Sequence, residues 1–275
     1  MISGIEAVTL MVQKTDRCIA MVIVAICAPL IARYYSPSCK ETIRTCGRFI
    51  DPNLRGTDAE LSDIKINPIP RRFNVKPTND VLILGKQPLE AMVARWWLVP
   101  SWFDGAEAKD WKATTFNARI EEAKDKPAYR AVWRRGRCMI PAGGFYEWTG
   151  PKGHRQPNVI LSAGNEETLF FAGLASRWRD LLTCTILTRA ANDSMAGIHD
   201  RMPVILNAEE RDAWLGGSDD LDLGAGARLR HYPVRAFGIV GERPDMILPM
   251  WPAFRTAFRQ NSHFGHPSVC ESLID

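Results

Sequence analysis

Short apolar runs separated by Gly, Pro and Asn set the texture of this chain from residue 46 onward. Residues 81–84, 94–99, 138–140 and 144–148 are rich in β-branched, aromatic and aliphatic side chains, as are 159–162, 169–174, 184–188, 203–206 and 232–240. Runs of this length with turn residues between them predict strands. Two segments carry helix signals instead. Residues 127–135 begin with Pro127, suited to a first helical position, and meet a stop at Gly136. Residues 207–216 offer Asn207 as a cap, Glu209 and Glu210 at the positive end of the helix dipole, and Gly216 as the end. Residues 216–227, GGSDDLDLGAGA, read as an exposed loop, and the chain carries no internal repeat.

The first 45 residues differ. Residues 18–32, CIAMVIVAICAPLIA, form an apolar run behind Lys14 and Arg17. A membrane-spanning helix needs about 20 such residues. This run is shorter and is broken by Pro29. It has the positive flank and small residues of a signal-peptide core. Three readings stand: a targeting segment, a buried or interfacial helix, or upstream sequence translated from a wrongly chosen start. Length and proline together weigh against a membrane anchor.

Composition narrows the function classes. The 275 residues carry a formal net charge of +4. That is too small for a polybasic binder, so any nucleic-acid contact must come from a local patch. The seven cysteines (18, 27, 39, 46, 138, 184 and 270) include no Cys-x-x-Cys pair and are odd in number. A disulfide framework or structural zinc site is not expected, and nothing points to a metal or an organic cofactor. Nine tryptophans invite two readings, core packing or stacking faces for unpaired bases.

Candidate chemistry sits in a few polar residues embedded among apolar or glycine neighbours. Glu147 lies between Tyr146 and Trp148 after a Gly-Gly turn, where desolvation suits a carboxyl to acid–base work. His199 precedes Asp-Arg-Met-Pro and is a candidate proton carrier. Asn117, Arg119, Arg95 and Arg201 taken singly read as turn, cap or ion-pair residues.

Their order along the chain says more. Cys46-Gly-Arg-Phe is followed by Asn74-Val-Lys-Pro-Thr and by Arg95-Trp-Trp-Leu-Val-Pro-Ser-Trp102. Next come Asn117-Ala-Arg119, then Arg137-Cys-Met-Ile-Pro-Ala-Gly-Gly-Phe-Tyr-Glu-Trp148, Thr185-Ile-Leu-Thr188 and Ile198-His-Asp-Arg-Met-Pro-Val204. This series resembles the SRAP family, the SOS-response-associated peptidase-like proteins, over about residues 46–240.

The resemblance implies an α+β fold, a mainly antiparallel, β-barrel-like core with a few peripheral helices. It implies a protein of the DNA damage response that senses abasic sites in single-stranded DNA and crosslinks to them. In that family an N-terminal cysteine condenses through its α-amine with the opened sugar aldehyde, and its thiol closes a thiazolidine. An α-amine with a pKa near 8 is partly neutral at physiological pH, and a 1,2-aminothiol holds its two nucleophiles side by side. By position Cys46 matches the nucleophile, Asn117 the residue that orients it, and Glu147 and His199 the proton carriers. Arg48 and Arg119 match phosphate contacts, with Asn74 and Thr188 as further backbone contacts. Pro77, Trp96, Trp97 and Leu98, together with Trp148, match surfaces set against the DNA bases. The implied protein is a cytoplasmic, nucleoid-associated monomer, with abasic single-stranded DNA and replication-fork machinery as partners and no stable membrane partner.

Two departures stand out. Trp97 occupies a position where the family usually has Gly. More consequential, Thr45 and the residues before it precede Cys46, so in the chain as written the Cys46 nitrogen is an amide, unable to form a Schiff base. Residues 1–45 are therefore expected to be an extension (mis-assigned start, propeptide or targeting segment), with 46–275 as the working domain. Self-cleavage of the bond before Cys46, or a true start near it, would expose the amine. A cysteine peptidase using Cys46 and His199, and a non-covalent single-stranded DNA-binding module, are the competing readings.

Overall fold

The computed structural model describes residues 47–53, 71–85, 90–164, 168–219, 222–239 and 241–250. The chain divides into two units, Met1–Ile43 and Arg44–Asp275, and every described residue belongs to the second. The 18–32 apolar run and Cys46 itself lie outside the described residues.

Eleven strands are described: β1 (Phe49–Ile50), β2 (Asp80–Leu84), β3 (Ala91–Trp96), β4 (Asn117–Arg119), β5 (Arg137–Ala142) and β6 (Gly144–Thr149), then β7 (Gln156–Ser162), β8 (Leu169–Trp178), β9 (Leu181–Ala190), β10 (Arg201–Pro203) and β11 (Leu229–Pro233). The α-helices among the described residues are the single turn α1 (Ile120–Ala123) and α2 (Ala208–Gly216). The result is a mostly antiparallel α+β architecture. One sheet runs β1-β6-β7-β11. The other runs β10-β9-β3-β2-β5-β8, and β9 pairs in addition with β8 and with β4. The exceptions to antiparallel pairing are β3 and β4, both parallel to β9.

Alternation on the strands is what closes the core. Phe49, Phe145 and Ile160 come from the first sheet, Trp96, Phe171 and Ile186 from the second, and all pack into one buried cluster. Its aromatic seam is continuous. Phe49 lies 5.1 Å from Trp96 and 6.1 Å from Phe171, and Trp96 meets Phe116 edge-on at 5.9 Å. Tilted and edge-on pairs of this kind add to the burial term. A separate cluster, holding Trp133, Trp214, Phe170 and Leu187, packs α1 and α2 against the second sheet.

The expected strands at 81–84 and 144–148 are present almost as read, and the other runs up to 206 overlap or adjoin strands. The run at 232–240 is different: β11 starts at Leu229 and stops at Pro233. The helix expected at 127–135 is instead a chain of turns. Arg130, Trp133 and Gly136 donate to the carbonyl four residues back, but Tyr129 and Val132 donate three back. The Gly136 carbonyl is then taken by Ala175 N–H at 2.6 Å, drawing the chain into β5 before a regular helix forms. α2 forms as expected. Asn207 Oδ1 accepts from Glu210 N–H, and Glu210 Oε2 accepts from Asn207 N–H at 2.9 Å, a complete capping box. Its left-handed end residue is Gly217, one beyond the expected Gly216. The 216–227 loop is not wholly exposed, because Leu223 is buried in the helix-bearing cluster.

Candidate active site

The first sheet fixes the segment that follows Cys46. Phe49 N–H donates to Val75 O at 3.1 Å, and Val75 N–H returns to Phe49 O at 2.9 Å. On the other side Phe49 pairs with Phe145 and Ile50 with Gly144. Tyr146 N–H donates to Arg48 O at 3.0 Å, extending the same register by one residue. Continued by one residue, that register would set Gly47 opposite Glu147. This register needs Gly144: its φ of +151° and the 2.7 Å that would separate a Cβ from Ile160 O leave no place for a side chain.

Glu147 is 2% exposed. It lies on β6 between Tyr146 and Trp148 and pairs in register with Asn158 of β7. A carboxyl buried to this degree has lost most of its water, the environment the sequence suggested.

Arg48 and Asn74 form a unit. Arg48 Nη1 donates to Asn74 Oδ1 at 2.7 Å and to Gly238 O at 3.3 Å, and its guanidinium lies 5.9 Å from the Trp148 ring centroid. Asn74 is 1% exposed, and its Nδ2 donates to Gly241 O at 2.9 Å. Beneath it, Glu242 Oε2 accepts from the N–H groups of Phe73 and Asn74 at 2.8 and 3.1 Å. Asn74 therefore aims Arg48 and is not itself open to a ligand. Trp148 is flanked by Phe237 at 5.7 Å. Burial lowers the Arg48 pKa somewhat, but an arginine keeps its charge across the physiological range.

A second group gathers on β4, β9 and β10. Parallel pairing sets Asn117 against Ile186 and Arg119 against Thr188. Antiparallel pairing sets Pro203 against the same Thr188. Arg201 reaches across this junction. It holds Glu121 through two bonds of 2.7 and 2.9 Å and donates to Thr188 O at 2.7 Å. For Glu121, burial pushes the pKa up, but the hydrogen bonds from Arg201 and the charges of Arg201 and Arg119 outweigh it and hold the carboxyl below its ordinary value. Arg119 is exposed and lies 3.4 Å from Glu122.

His199 precedes β10, with its side chain 7% exposed and Ile198 packed on the main core cluster. Its Nδ1 lies 2.9 Å from Arg201 N–H and 2.8 Å from Asp200 Oδ1. The two contacts belong to two proton states. A neutral ring with its proton on Nε2 accepts from Arg201 N–H, and a ring protonated at Nδ1 donates to Asp200.

The structure therefore brings Arg48, Asn74, Glu147 and Trp148 to the first sheet, and Asn117, Arg119, Thr188 and His199 to the β4–β9–β10 junction of the second. The base-facing surface requires correction. Trp96 and Leu98 are both fully buried, and Trp96 Nε1 donates to Phe116 O at 2.8 Å. Neither side chain can meet a base. Trp97 is half-buried, packed 5.5 Å from Phe116 with its Nε1 on Ala113 O, while Pro77 stays partly exposed. Thr188 is also corrected: it is 3% exposed, and its hydroxyl lies 3.3 Å from Ala118 O, within reach as an inward donor. Sequence reasoning missed Phe237, Glu242 and the Arg201–Glu121 pair. Their partners lie 80 or more residues away and leave no local signal.

Among the described residues no helix is long and apolar enough to cross a membrane, and no cluster of metal-ligating side chains is present. A Bacillus subtilis protein named abasic site processing protein YoqW is 39% identical over 155 residues, covering 52% of this chain and 66% of that relative. The chain thus spans just under two thirds of that relative's length. Escherichia coli abasic site processing protein YedK is 30% identical over 183 residues, covering 62% of this chain and 79% of YedK. Gallus gallus abasic site processing protein HMCES is 32% identical over 192 residues, covering 58% of this chain and 57% of HMCES. A crystal structure of a Bacteroides thetaiotaomicron protein superposes with a TM-score of 0.60 at 21% identity, covering 75% of this chain and all of that one. A Bordetella bronchiseptica structure superposes at 0.58 and 24%, covering 70% and 100%. The family described as SOS response associated peptidase matches residues 45–238, beginning one residue before Cys46. On that match, the chain belongs to the SOS response associated peptidase (SRAP) family.

Proposed function

We propose that this chain, once Cys46 is its first residue, crosslinks to abasic sites in single-stranded DNA. One observation carries the reading: the β1–β6 register, continued by the Tyr146 N–H to Arg48 O bond, runs toward Cys46 alongside the strand that holds the buried Glu147. An acid–base group thus flanks the point where an exposed α-amine would react. The amine adds to the opened-sugar aldehyde and loses one water to give an imine. The Cys46 thiol then adds across the C=N bond, its proton passing to nitrogen, and a thiazolidine closes. Glu147 supplies a proton to the departing oxygen, and His199 moves protons during sugar opening. Arg48 and Arg119 hold phosphates by charge and paired donors. Asn117 orients the sugar.

Within this reading residues 1–45 are an extension and 46–275 the working domain, which acts as a monomer in the cytoplasm, at the nucleoid. Abasic single-stranded DNA is its substrate, and replication-fork machinery its neighbour. The sheet whose pairing returns on β9 is its barrel-like core. Release of Cys46 by self-cleavage, with Glu147 and His199 assisting, is the accompanying peptidase step.

Intact-mass measurement of the purified protein and a denaturing gel with abasic oligonucleotide test the proposal together. A species beginning at Cys46 should give a heat-stable adduct, and Cys46→Ala should abolish it. An undiminished adduct from Cys46→Ala would sink the reading. Salt-sensitive binding without adduct would leave a non-covalent DNA-binding module.

A further inference from the structure

The strand that follows Cys46 is short. β1 holds only Phe49 and Ile50, so its place depends on its two neighbours. One neighbour is β6. The other is the 71–75 segment, which meets β1 through an isolated bridge between Phe49 and Val75. Phe49 and Val75 exchange two backbone bonds, and Asp51 N–H donates to Arg72 O at 2.8 Å. A shift of 71–75 therefore reaches β1, and through it the residues before Phe49.

Two side chains clamp this outer segment. Tyr146 Oη donates to Phe73 O at 2.9 Å. From the other end of the chain, Glu242 Oε2 accepts from Phe73 N–H at 2.8 Å and from Asn74 N–H at 3.1 Å. One oxygen takes two successive N–H groups only where the backbone bends to aim both at one point. Glu242 thus fixes a bend just before Val75. Phe73 is 5% exposed and Asn74 1%. Water has little access to these two donors, and a buried donor left without an acceptor is costly.

Glu242 is anchored in turn. Met246 and Ile247, in the turn Pro244–Ile247, are buried in one cluster with Ile50, Phe73 and Tyr146. Two routes lead from the clamp toward Cys46. One runs through Asn74, whose side chain aims Arg48. The other runs along the backbone, from Val75 to Phe49 and on to Gly47. The first bears on how a strand of DNA is held, the second on where the amine of Cys46 stands.

We propose that Glu242 is a positioning residue for the crosslinking step, acting through 73–75 and β1 to set the reactive end. The inference rests on the crosslinking reading above. Amide exchange followed by NMR on the full chain, without DNA, tests the clamp. Crosslinking at saturating abasic strand, with the preparation that gives the adduct, tests its use. In Glu242→Ala the Phe49, Asp51 and Val75 amides should exchange about 10-fold faster, while those of the β8–β9 pair keep the parent's rates. The crosslinking rate should fall about 10- to 100-fold, the scale of a displacement near 1 Å. Glu242→Gln keeps an oxygen able to accept from both N–H groups and should restore most of the protection and most of the rate. Thermal unfolding gives the folded fraction to which each rate is referred. If the alanine variant does not fold, Glu242→Asp, one methylene short, replaces it with the same direction of change. Parental exchange at Phe49 and Val75 in Glu242→Ala, or a glutamine variant no better than alanine, overturns the clamp. Faster exchange with an unchanged crosslinking rate overturns the positioning role and leaves the DNA reading standing. A parent that begins at Cys46 and forms no adduct overturns both.

Discussion

Replacing Asn74 by alanine isolates the device that aims Arg48. The substitution removes two contacts: the 2.7 Å bond that Asn74 Oδ1 accepts from Arg48, and the 2.9 Å bond from Nδ2 to Gly241 O. A bond to a charged donor contributes about 1.5–3 kcal/mol and a neutral one about 1 kcal/mol. Arg48 is only half-buried, and water can replace part of what it loses, so the lower end applies to the first. Together the two come to about 2.5 kcal/mol. With a urea slope of about 2 kcal/mol per molar, the midpoint should fall by roughly 1.2 M at unchanged slope. The Arg48 guanidinium keeps Gly238 O and the Trp148 ring, so it should stay near its place but with a wider range of orientations. A double-mutant cycle with Arg48→Ala should return a coupling of about 1.5 kcal/mol. If Arg48 grips a phosphate, both single variants should bind abasic single strands more weakly, and Arg48→Ala should flatten the salt slope by about 0.7. A coupling under about 0.5 kcal/mol would refute the claim that Asn74 acts through Arg48.

Three further outcomes follow from other parts of the molecule. Gly144→Ala should cost about 2 kcal/mol or more, because φ is +151° and the new methyl would sit 2.6 Å from Leu161 Cδ2 and 2.7 Å from Ile160 O; thermal unfolding within a degree of the parent would contradict it. Burial pushes the Cys138 thiol up to about 12 and raises Cys184 well above its ordinary value. Mass mapping after alkylation at pH 8 should find both unmodified in the native protein and both modified in denaturant, and native labelling of either would count against this packing. Glu121 is held below its ordinary value by Arg201, so its stabilisation is present above the unfolded-state pKa and lost as pH falls through the lower folded-state one. Glu121→Gln should therefore be less stable than the parent at pH 7 by at most about 1 kcal/mol, given the exposure of the pair. The difference should begin to shrink near the unfolded carboxyl value, about pH 4, and close only below the lower folded-state value, and a pH-independent difference would exclude the ion pair as its source.

What the sequence made legible follows the range of the interactions. Turn residues around a short aliphatic run mark 81–84, and around an aromatic run 144–148, because strand ends are set by the local chain. The capping box at Asn207 and Glu210 spans three residues and is equally local. Glu147 was visible as a charge inserted into an inward-packing aromatic run. Trp96 and Trp97 show where local reading stops. Adjacent strand residues point to opposite faces, so one of the pair must turn inward, but which one depends on where Phe49 and Phe171 lie, and those are 47 and 75 residues away. The partner sheets put Trp96 against both rings and leave Trp97 half-open at the edge. The same holds for polar residues. Arg48 reads as a free phosphate hook until Asn74, 26 residues on, is seen to hold it, and Asn74 is set in turn by Glu242, 168 residues further. Residue identity thus names the chemistry, while the long-range polar scaffold decides whether a side chain meets a ligand or aims the one that does. Under the proposed reading Arg48 belongs to the first kind and Asn74 to the second.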